Sequence, residues 1–218
     1  MLVLALDAST YAGSVALIRD GDVVGHAVAA MRGEREERLM PAIAALLESH
    51  SIAVDSLDAV ACGAGPGSFT SLRIAASIAK GLSVARMLPL LVAPSTLLVA
   101  AAADPKLPVG DYVAVLDAMR GDFFYQDVCI SSSGEIQPGD AGRTSRSLLE
   151  DHAASKSARI IGPSESPALS PHARGFALLI RNGIAQPVEG TSWEPNYGRK
   201  AEAQVRWETA HGRELGAD

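Results

Sequence analysis

The chain has 218 residues, 48% hydrophobic and 20% charged, which is the composition of a globular protein with a sizeable core. Its 19 basic and 25 acidic residues leave a formal net charge of −6. Such a surface lacks the basic character needed to neutralise a nucleic-acid backbone, so any RNA contact should be local or supplied by a partner. Two cysteines are too few for a disulfide framework or a four-cysteine zinc site.

Neither apolar stretch of the sequence predicts a leader or a membrane span. The run at residues 2–6 is stopped by Asp7, which makes it far too short for either. The alanine-rich stretch 88–103 contains Pro89 and Pro94 and is typical of a soluble core. We therefore expect a cytoplasmic protein without membrane association.

The first part of the chain predicts three strands followed by alternating helices and strands. A continuous apolar run suits a strand buried on both faces, and the pair Asp20-Gly21 supplies the turn of a hairpin. Pro41 implies a kink or a later start for the first helix. The predicted elements are strands at 2–6, 13–18 and 23–28, a helix at 34–49, a strand at 59–62, a helix at 69–84, a strand at 90–92 and a helix at 95–103.

A polar segment after residue 103 is the best candidate for a boundary between two lobes, at 1–105 and 111–218. Beyond it the opening theme returns, because Asp117-Ala118 repeats Asp7-Ala8 and is again followed by a strand and a hairpin turn. This repeat predicts duplicated lobes, the second reduced. Its predicted elements are strands at 113–116, 123–130 and 159–161, helices at 147–154 and 171–182, and an irregular tail at 185–197.

The turn after the first strand carries Asp7, Ser9 and Thr10. In a duplicated fold such a turn faces the cleft between lobes, where hydroxyls and amides can cradle a phosphate and a carboxylate can orient a metal-bound water. Asp and Ser also commonly satisfy the amides of their own turn. Both interpretations remain open at this point, and Asp117 is the equivalent residue of the second lobe.

The most distinctive motif is the glycine-rich loop at residues 63–70, which includes Gly65, Gly67 and Ser68. Its glycines and Pro66 predict a tight turn, and Ser68 or Thr70 could cap the helix that follows. A helix N-terminus can bind an anion, but a purely structural turn is an equally good interpretation. The loop lacks both the Gly-Lys-Ser/Thr ending of a Walker motif and the full dinucleotide-binding spacing.

Catalytic signatures are weak throughout the sequence. The five histidines show no metal-binding i, i+4 pair, so no metal site is predicted. Ser68 does not lie in a nucleophile elbow and has no histidine nearby in sequence. Asp117 and Asp122 could form a carboxylate pair, although such a spacing at a turn is typical of solvated residues.

The helices at 34–49 and 69–84 suggest a different role, because small residues allow helices to approach closely. Their apolar faces could cover their own sheet, while the remaining small and charged residues form an interface. Ala76→Glu on the second helix is accordingly expected to block a heterodimer and leave the fold intact. The partner-interface candidates are Arg35, Arg38, Leu39, Ala42, Ser71, Ala75, Ala76 and Ser77.

Three motifs resemble the TsaB (YeaZ) family, the accessory subunit of tRNA threonylcarbamoyladenosine synthesis. They are Asp7-Ala-Ser-Thr with Ser14-Val-Ala-Leu17, Gly65-Pro-Gly-Ser-Phe-Thr-Ser-Leu-Arg-Ile74, and Asp117-Ala-Met-Arg-Gly-Asp-Phe-Phe-Tyr125. The tail Glu194-Pro-Asn-Tyr-Gly-Arg-Lys200 is similar to the family's ending. The resemblance implies an α/β, actin-like ASKHA (ribonuclease H-like) duplicated fold with a reduced second lobe.

The resemblance also implies a non-catalytic scaffold. Such a subunit forms a heterodimer with a TsaD-type catalytic subunit, works with a TsaE-type ATPase, forms a homodimer when alone, and meets tRNA only through the complex. It has no cofactor or metal of its own, although ATP or ADP could bind at the interface of the complex. The alternative is a free-standing ATPase or small-molecule kinase of the same fold, using the cleft residues Asp7, Ser9, Thr10, Gly65, Gly67, Ser68 and Asp117.

Overall fold

Two mixed β-sheets organise the chain, whose computed structural model describes residues 1–31, 37–198 and 202–212. The strands are β1 Leu2–Asp7, β2 Ala12–Arg19, β3 Asp22–Ala30, β4 Ala59–Gly63, β5 Leu90–Ala93, β6 Gly110–Met119, β7 Asp122–Ile130, β8 Ile136–Ser145, β9 Arg159–Ile161 and β10 Gln186–Val188. The helices are α1 Leu39–Ser49, α2 Phe69–Arg86, α3 Ser95–Ala101, α4 Arg146–Ser155, α5 Phe176–Arg181 and α6 Glu202–His211. Short 3-10 turns lie at Val54–Ser56 and Ala173–Gly175.

Four neighbouring strands of the first sheet, β3-β2-β1-β4, are repeated in the second sheet as β8-β7-β6-β9. The first has the order β10-β5-β4-β1-β2-β3 and the second the order β8-β7-β6-β9. In the first sheet, β1 is antiparallel to β2 and parallel to β4. In the second sheet, β6 is likewise antiparallel to β7 and parallel to β9. Asp7 and Asp117 lie near the hairpin ends of β1 and β6. The predicted duplication is therefore confirmed, and the second sheet has four strands against six.

Strand β1 shows why a continuous apolar run predicted a strand buried on both faces. Leu2, Leu4 and Leu6 face the core under α1 and α2, whereas Val3 and Ala5 face the core shared with α3 and α5. Successive side chains of a strand point to opposite faces, so a strand between two cores needs apolar residues at every position.

Helices α3 and α5 lie between the two sheets. The core that contains Leu97 and Phe176 also contains Tyr112, Leu116 and Phe124 from the second sheet, so one core joins both lobes. On the far side of the second sheet, α4 packs through Leu149 and Ala153 in a smaller cluster. None of the helices in the described ranges is long and apolar enough to span a bilayer.

The first predicted helix starts later than expected. Helix α1 begins at Leu39 rather than at residue 34, and residues 32–36 lie outside the described residues. The Glu37 carboxylate accepts hydrogen bonds from the amides of Leu39 and Met40. The Met40 amide lies 3.0 Å from Glu37 Oε1. Pro41 then falls in the first turn, where helix amides have no intrahelical partner and a missing N–H costs nothing.

The second lobe departs from prediction at three places. Strand β8 was not predicted, because it is an exposed edge strand with mostly polar residues. The helix expected at 171–182 begins as the 3-10 turn Ala173–Gly175 before α5. The tail expected to be irregular contains β10, which pairs antiparallel with β5 and so returns the chain to the first sheet.

Candidate functional site

Asp7 is fully buried at the end of β1 and is held by hydroxyl and amide donors. Its Oδ1 accepts hydrogen bonds from the Ser9 amide at 3.1 Å and the Ser9 hydroxyl at 2.8 Å. Its Oδ2 accepts a hydrogen bond from the Ser95 hydroxyl at 2.6 Å. The same Ser95 oxygen accepts the amide of Gly65 at 3.1 Å, so Asp7 ties the first turn to α3 and to the glycine-rich loop.

Burial raises the pKa of Asp7, and its hydrogen bonds to Ser95 and Ser9 only partly offset that rise. A Cβ at Gly63 would lie 1.9 Å from Asp7 Oδ2, which shows how closely the backbone encloses the carboxylate. Both oxygens therefore face the interior of the first lobe. This geometry favours the interpretation that Asp7 satisfies its own turn over the interpretation that it orients a metal-bound water.

The glycine-rich loop packs against the Ser9 turn. The Ser68 amide donates to the Ser9 carbonyl oxygen at 2.7 Å, and a Cβ at Gly67 would lie 2.1 Å from that oxygen. Gly65 has a φ of +81°, and a Cβ there would lie 2.2 Å from the Asn196 carbonyl oxygen. These glycines are needed for close backbone approach, as a structural turn requires.

The expected side-chain cap of α2 is absent. Ser68 occupies the N-cap position, but its hydroxyl pairs with the Ser71 hydroxyl at 3.0 Å and makes no hydrogen bond to a helix amide. Thr70 lies inside the first turn and is exposed. The capping prediction was wrong because the Ser68 hydroxyl forms its hydrogen bond with the Ser71 hydroxyl, one turn further along α2, instead of with a helix amide.

The lobes enclose a cavity of about 230 Å³, which we call the interlobe cavity. Of the predicted cleft residues, Ser9, Thr10, Gly67, Ser68 and Asp117 line it, whereas Asp7 and Gly65 do not. Asp117 is exposed, and its Oδ1 accepts the Met119 amide at 2.7 Å. The lining residues are Ser9, Thr10, Tyr11, Gly67, Ser68, Val115, Leu116, Asp117, Ala118, Met119, Phe123, Phe124, Pro163, Ser164 and Glu165.

These walls do not fit a nucleoside triphosphate, which actin-like folds commonly hold in such a cleft. Charged phosphates are commonly paired with arginine, lysine or a bound cation, and among the described residues no lysine or arginine lines the cavity, whereas two acids, Asp117 and Glu165, do. Asp7 is turned away from the cavity. The volume is also below the roughly 300 Å³ at which pockets for drug-sized ligands begin.

A second surface lies between α1 and α2, which we call the α1–α2 groove. It carries more apolar than polar surface, and Met40 at its edge is 43% exposed. Its charged members are Glu37 and Arg73. The residues that line it are Glu37, Met40, Phe69, Thr70, Arg73, Ile74, Ser77 and Ile78.

The structure separates the predicted interface residues into two groups. Arg38 and Ser77 are exposed and Ala42 is half-buried, whereas Arg35 lies outside the described residues. Four others are buried within the chain itself, so the prediction that they face a partner was wrong: Leu39, Ser71, Ala75 and Ala76.

Each of the buried residues has a partner inside the chain. Leu39 and Ala75 belong to the core under α1 and α2, and Ser71 pairs with Ser68. Ala76 is only 4% exposed and lies near Glu194 and Tyr197 of the C-terminal tail. The Ala76→Glu change therefore does not probe a partner surface, because it would disturb the chain's own packing. The sequence reasoning missed Met40 and Ile74, whose apolar character suggested core positions.

Residues 193–198 form a C-terminal strap across α2. Lys80 on α2 donates to the Trp193 carbonyl oxygen and to Glu194 Oε1, both at 2.8 Å. The Tyr197 ring packs on Phe69 with centroids 4.4 Å apart, and the Asn196 amide donates to the Ala64 carbonyl at 2.8 Å. The strap thus links α2 to the glycine-rich loop and forms one border of the exposed face of α2.

The duplicated sheets, the enclosed helices and the cleft between lobes define an actin-like ASKHA protein with a reduced second lobe. A family model described as TsaD: tRNA N6-adenosine threonylcarbamoyltransferase matches residues 30–155, more than half of the chain. The chain belongs to this family, and its relatives place it with the TsaB (YeaZ) proteins.

Curated relatives named tRNA threonylcarbamoyladenosine biosynthesis protein TsaB match over little more than half of the chain. The Escherichia coli protein is 34% identical over 58% of this chain and 54% of its own length. The Bacillus subtilis protein is 31% identical over 57% of this chain and 53% of its own length. The chain therefore spans about half the length of the curated relatives it matches. YeaZ from Pseudomonas aeruginosa superposes with a TM-score of 0.70 at 25% identity, covering 90% of this chain and 99% of that one.

Proposed function

We propose that this chain is a non-catalytic partner subunit in the synthesis of threonylcarbamoyladenosine in tRNA. It would bind a TsaD-type catalytic subunit, act alongside a TsaE-type ATPase, and approach tRNA only within that complex. The relatives' names support the pathway. In the absence of its partner, the same surface would pair two copies of the chain.

The observation that carries this proposal is the exposed, largely apolar α1–α2 groove. Exposed apolar surface bordered by charged residues is typical of a protein–protein contact, because its burial on association is favourable. Met40 and Ile74 supply apolar area, while Arg38 and Arg73 are exposed cations that can select an acidic partner surface.

The cleft supports a non-catalytic role. Asp7 is sequestered by Ser9 and Ser95, and the part of the cavity wall that the structure describes has no lysine or arginine to pair with phosphate. Any ATP or ADP used by the complex would then be bound by the partner or at the shared interface. A free-standing ATPase or kinase would need the isolated chain to bind and turn over nucleotide.

Reconstitution tests the proposal directly. The catalytic subunit, the other pathway enzymes, tRNA, ATP, threonine and bicarbonate are combined with and without this chain, and modified adenosine is measured. We expect modification only when the chain is present, with no nucleotide hydrolysis by the chain alone. Modification that is indifferent to the chain would reject the scaffold role.

Met40→Asp tests the surface itself, because it places a charge in the groove at an exposed helical position. Leu148→Asp is the matched control, since Leu148 is 60% exposed on α4 of the other lobe. We expect Met40→Asp to weaken binding to the catalytic subunit at least tenfold, which corresponds to about 1.4 kcal/mol, and Leu148→Asp to leave it unchanged. Equal behaviour of the two folded variants would remove the groove from the interface.

A further inference from the structure

The interlobe cavity combines aromatic walls with a carboxylate. Phe123 and Phe124 come from β7, and Val115 and Leu116 from β6 supply further apolar wall. Asp117 is exposed at the same site, so its charge is available to a ligand. Glu165 is different, because the Arg146 guanidinium holds it through both carboxylate oxygens, at 2.5 and 3.2 Å.

Most hydroxyls on the cavity wall are already engaged within the chain. The Ser9 hydroxyl donates to Asp7, the Thr10 hydroxyl lies 3.2 Å from the Ala12 carbonyl oxygen, and the Ser68 hydroxyl pairs with Ser71. Asp117 is therefore the wall group best placed to recognise a polar ligand, and the rest of the wall offers mainly aromatic and aliphatic contact.

The cavity also has exposed apolar side chains contributed by both lobes. Tyr11, from the turn after β1, is 46% exposed, and Met119, at the end of β6, is 41% exposed. Both line the cavity, so a ligand there would cover apolar surface that is otherwise left to solvent. Burial of that surface favours binding independently of charge.

We propose that the interlobe cavity is a binding site for a small arylalkylamine in its ammonium form. The Asp117 carboxylate beside this apolar wall attracts an organic cation through an ion pair and repels an anion. The Phe123 ring already has the Arg146 guanidinium 5.5 Å from its centroid, so it supplies apolar contact. An apolar cavity of about 150 Å³ is large enough to hold benzene, so about 230 Å³ accommodates a bicyclic ring, with a short chain reaching the open side. This inference does not depend on the proposed partner role.

A series of probes with one ring system tests the charge preference. Tryptamine, indole and indole-3-acetate carry positive, no and negative charge, and each is titrated into the full chain by ligand-observed NMR, with ATP added as a competitor. We expect tryptamine to bind about fivefold more tightly than indole, because one partly exposed ion pair contributes that much. Indole-3-acetate should bind most weakly, and ATP should displace none of the three probes.

Asp117→Asn isolates the carboxylate, because its amide oxygen can still accept the Met119 amide. The variant should lower tryptamine affinity to that of indole and leave indole binding unchanged. Asp140→Asn makes the same change in net charge at an exposed site outside this cavity and should alter nothing. The proposal is overturned if no probe binds at millimolar concentration, if the anionic probe binds as well as the cationic one, or if both variants lose affinity equally.

Discussion

The hydroxyl of Ser95, the first residue of α3, donates a 2.6 Å hydrogen bond to Oδ2 of Asp7, the last residue of β1. The two residues are 88 positions apart in sequence and both are fully buried. Their contact fixes the first turn against the helix that packs between the lobes. It explains why a carboxylate at the cleft end of β1 does not enter the cleft.

Ser95→Ala should destabilise the fold by about 1–3 kcal/mol, because it leaves a buried carboxylate oxygen and the Gly65 amide without their shared partner. Ser56→Ala is the control, since that exposed hydroxyl donates to the nearby Ala53 carbonyl oxygen, and it should change stability by less than about 0.5 kcal/mol. Urea denaturation of both variants measures the difference. A negligible effect of Ser95→Ala would show that water replaces the lost contacts.

Asp7→Asn should be at least as stable as the unmodified chain at pH 7.5. Burial raises the pKa of Asp7, so the folded state binds the proton more tightly than the unfolded state. The contribution of Asp7 to stability is therefore greatest when it is protonated and falls as the pH rises through that raised pKa. Unfolding midpoints of the two proteins should converge as the pH is lowered from 7.5 to 4.5, and strong destabilisation by Asp7→Asn at pH 7.5 would contradict this account.

His172 should weaken the fold in mild acid. Burial, with His26 and Arg174 nearby, lowers the pKa of His172 to about 4, and its Nε2 has no hydrogen-bond partner in the described parts of the chain. The unfolded chain takes up this proton near pH 6.5, so stability is lost as the pH falls from about 6.5 to about 4.

His172→Asn removes that titration. The asparagine oxygen can still accept the Arg174 amide, which Nδ1 now accepts at 3.0 Å. The loss of unfolding free energy between pH 7 and 4.5 should be smaller in the variant, by up to about 3 kcal/mol at 1.36 kcal/mol per pKa unit. Parallel pH profiles for the two proteins would show that His172 does not contribute to the acid sensitivity.

Gly67→Ala should be strongly destabilising, whereas Gly81→Ala should be stabilising. A Cβ at Gly67 meets the Ser9 carbonyl oxygen, a backbone atom that cannot move away cheaply, whereas a Cβ at Gly81 in α2 meets no described atom within 4 Å apart from its chain neighbours and its own helix backbone. Alanine in a helix interior is favoured over glycine by about 0.5–1 kcal/mol. The thermal unfolding midpoint should therefore fall in Gly67→Ala and rise in Gly81→Ala. A midpoint that rises in both variants would contradict the close approach at Gly67.

Lys80→Met should loosen the C-terminal strap without unfolding the chain. Glu194 is 66% exposed while Lys80 is 23% exposed, so solvent screens the ion pair from the glutamate side and its own contribution is at most about 1 kcal/mol. Loss of the bond to the Trp193 carbonyl should nevertheless speed hydrogen exchange at the Asn196 amide, because that amide is held only while the strap stays on α2. Lys106→Met, at an exposed position away from the strap, is the control and should leave this exchange rate unchanged.

The sequence alone determined those features that depend on local pattern. The apolar run of β1, the hairpin turn at Asp20-Gly21 and the repeated Asp-Ala pair predicted the strands of the first lobe up to β5, the duplication and the hairpin that opens the second lobe, but not β8 or β10. Strand periodicity and turn chemistry are properties of neighbouring residues, so they can be identified without the fold.

Only the tertiary structure decided how each polar or small side chain is used. Asp7 faces inward because Ser95 and Gly63 meet it from distant positions, Ala76 is buried although it lies on the helix that the C-terminal strap crosses, and β10 pairs with β5 in the first sheet. The environment of such residues depends on partners far away in sequence. Burial and hydrogen bonding with those partners, more than residue type, set what each side chain can do.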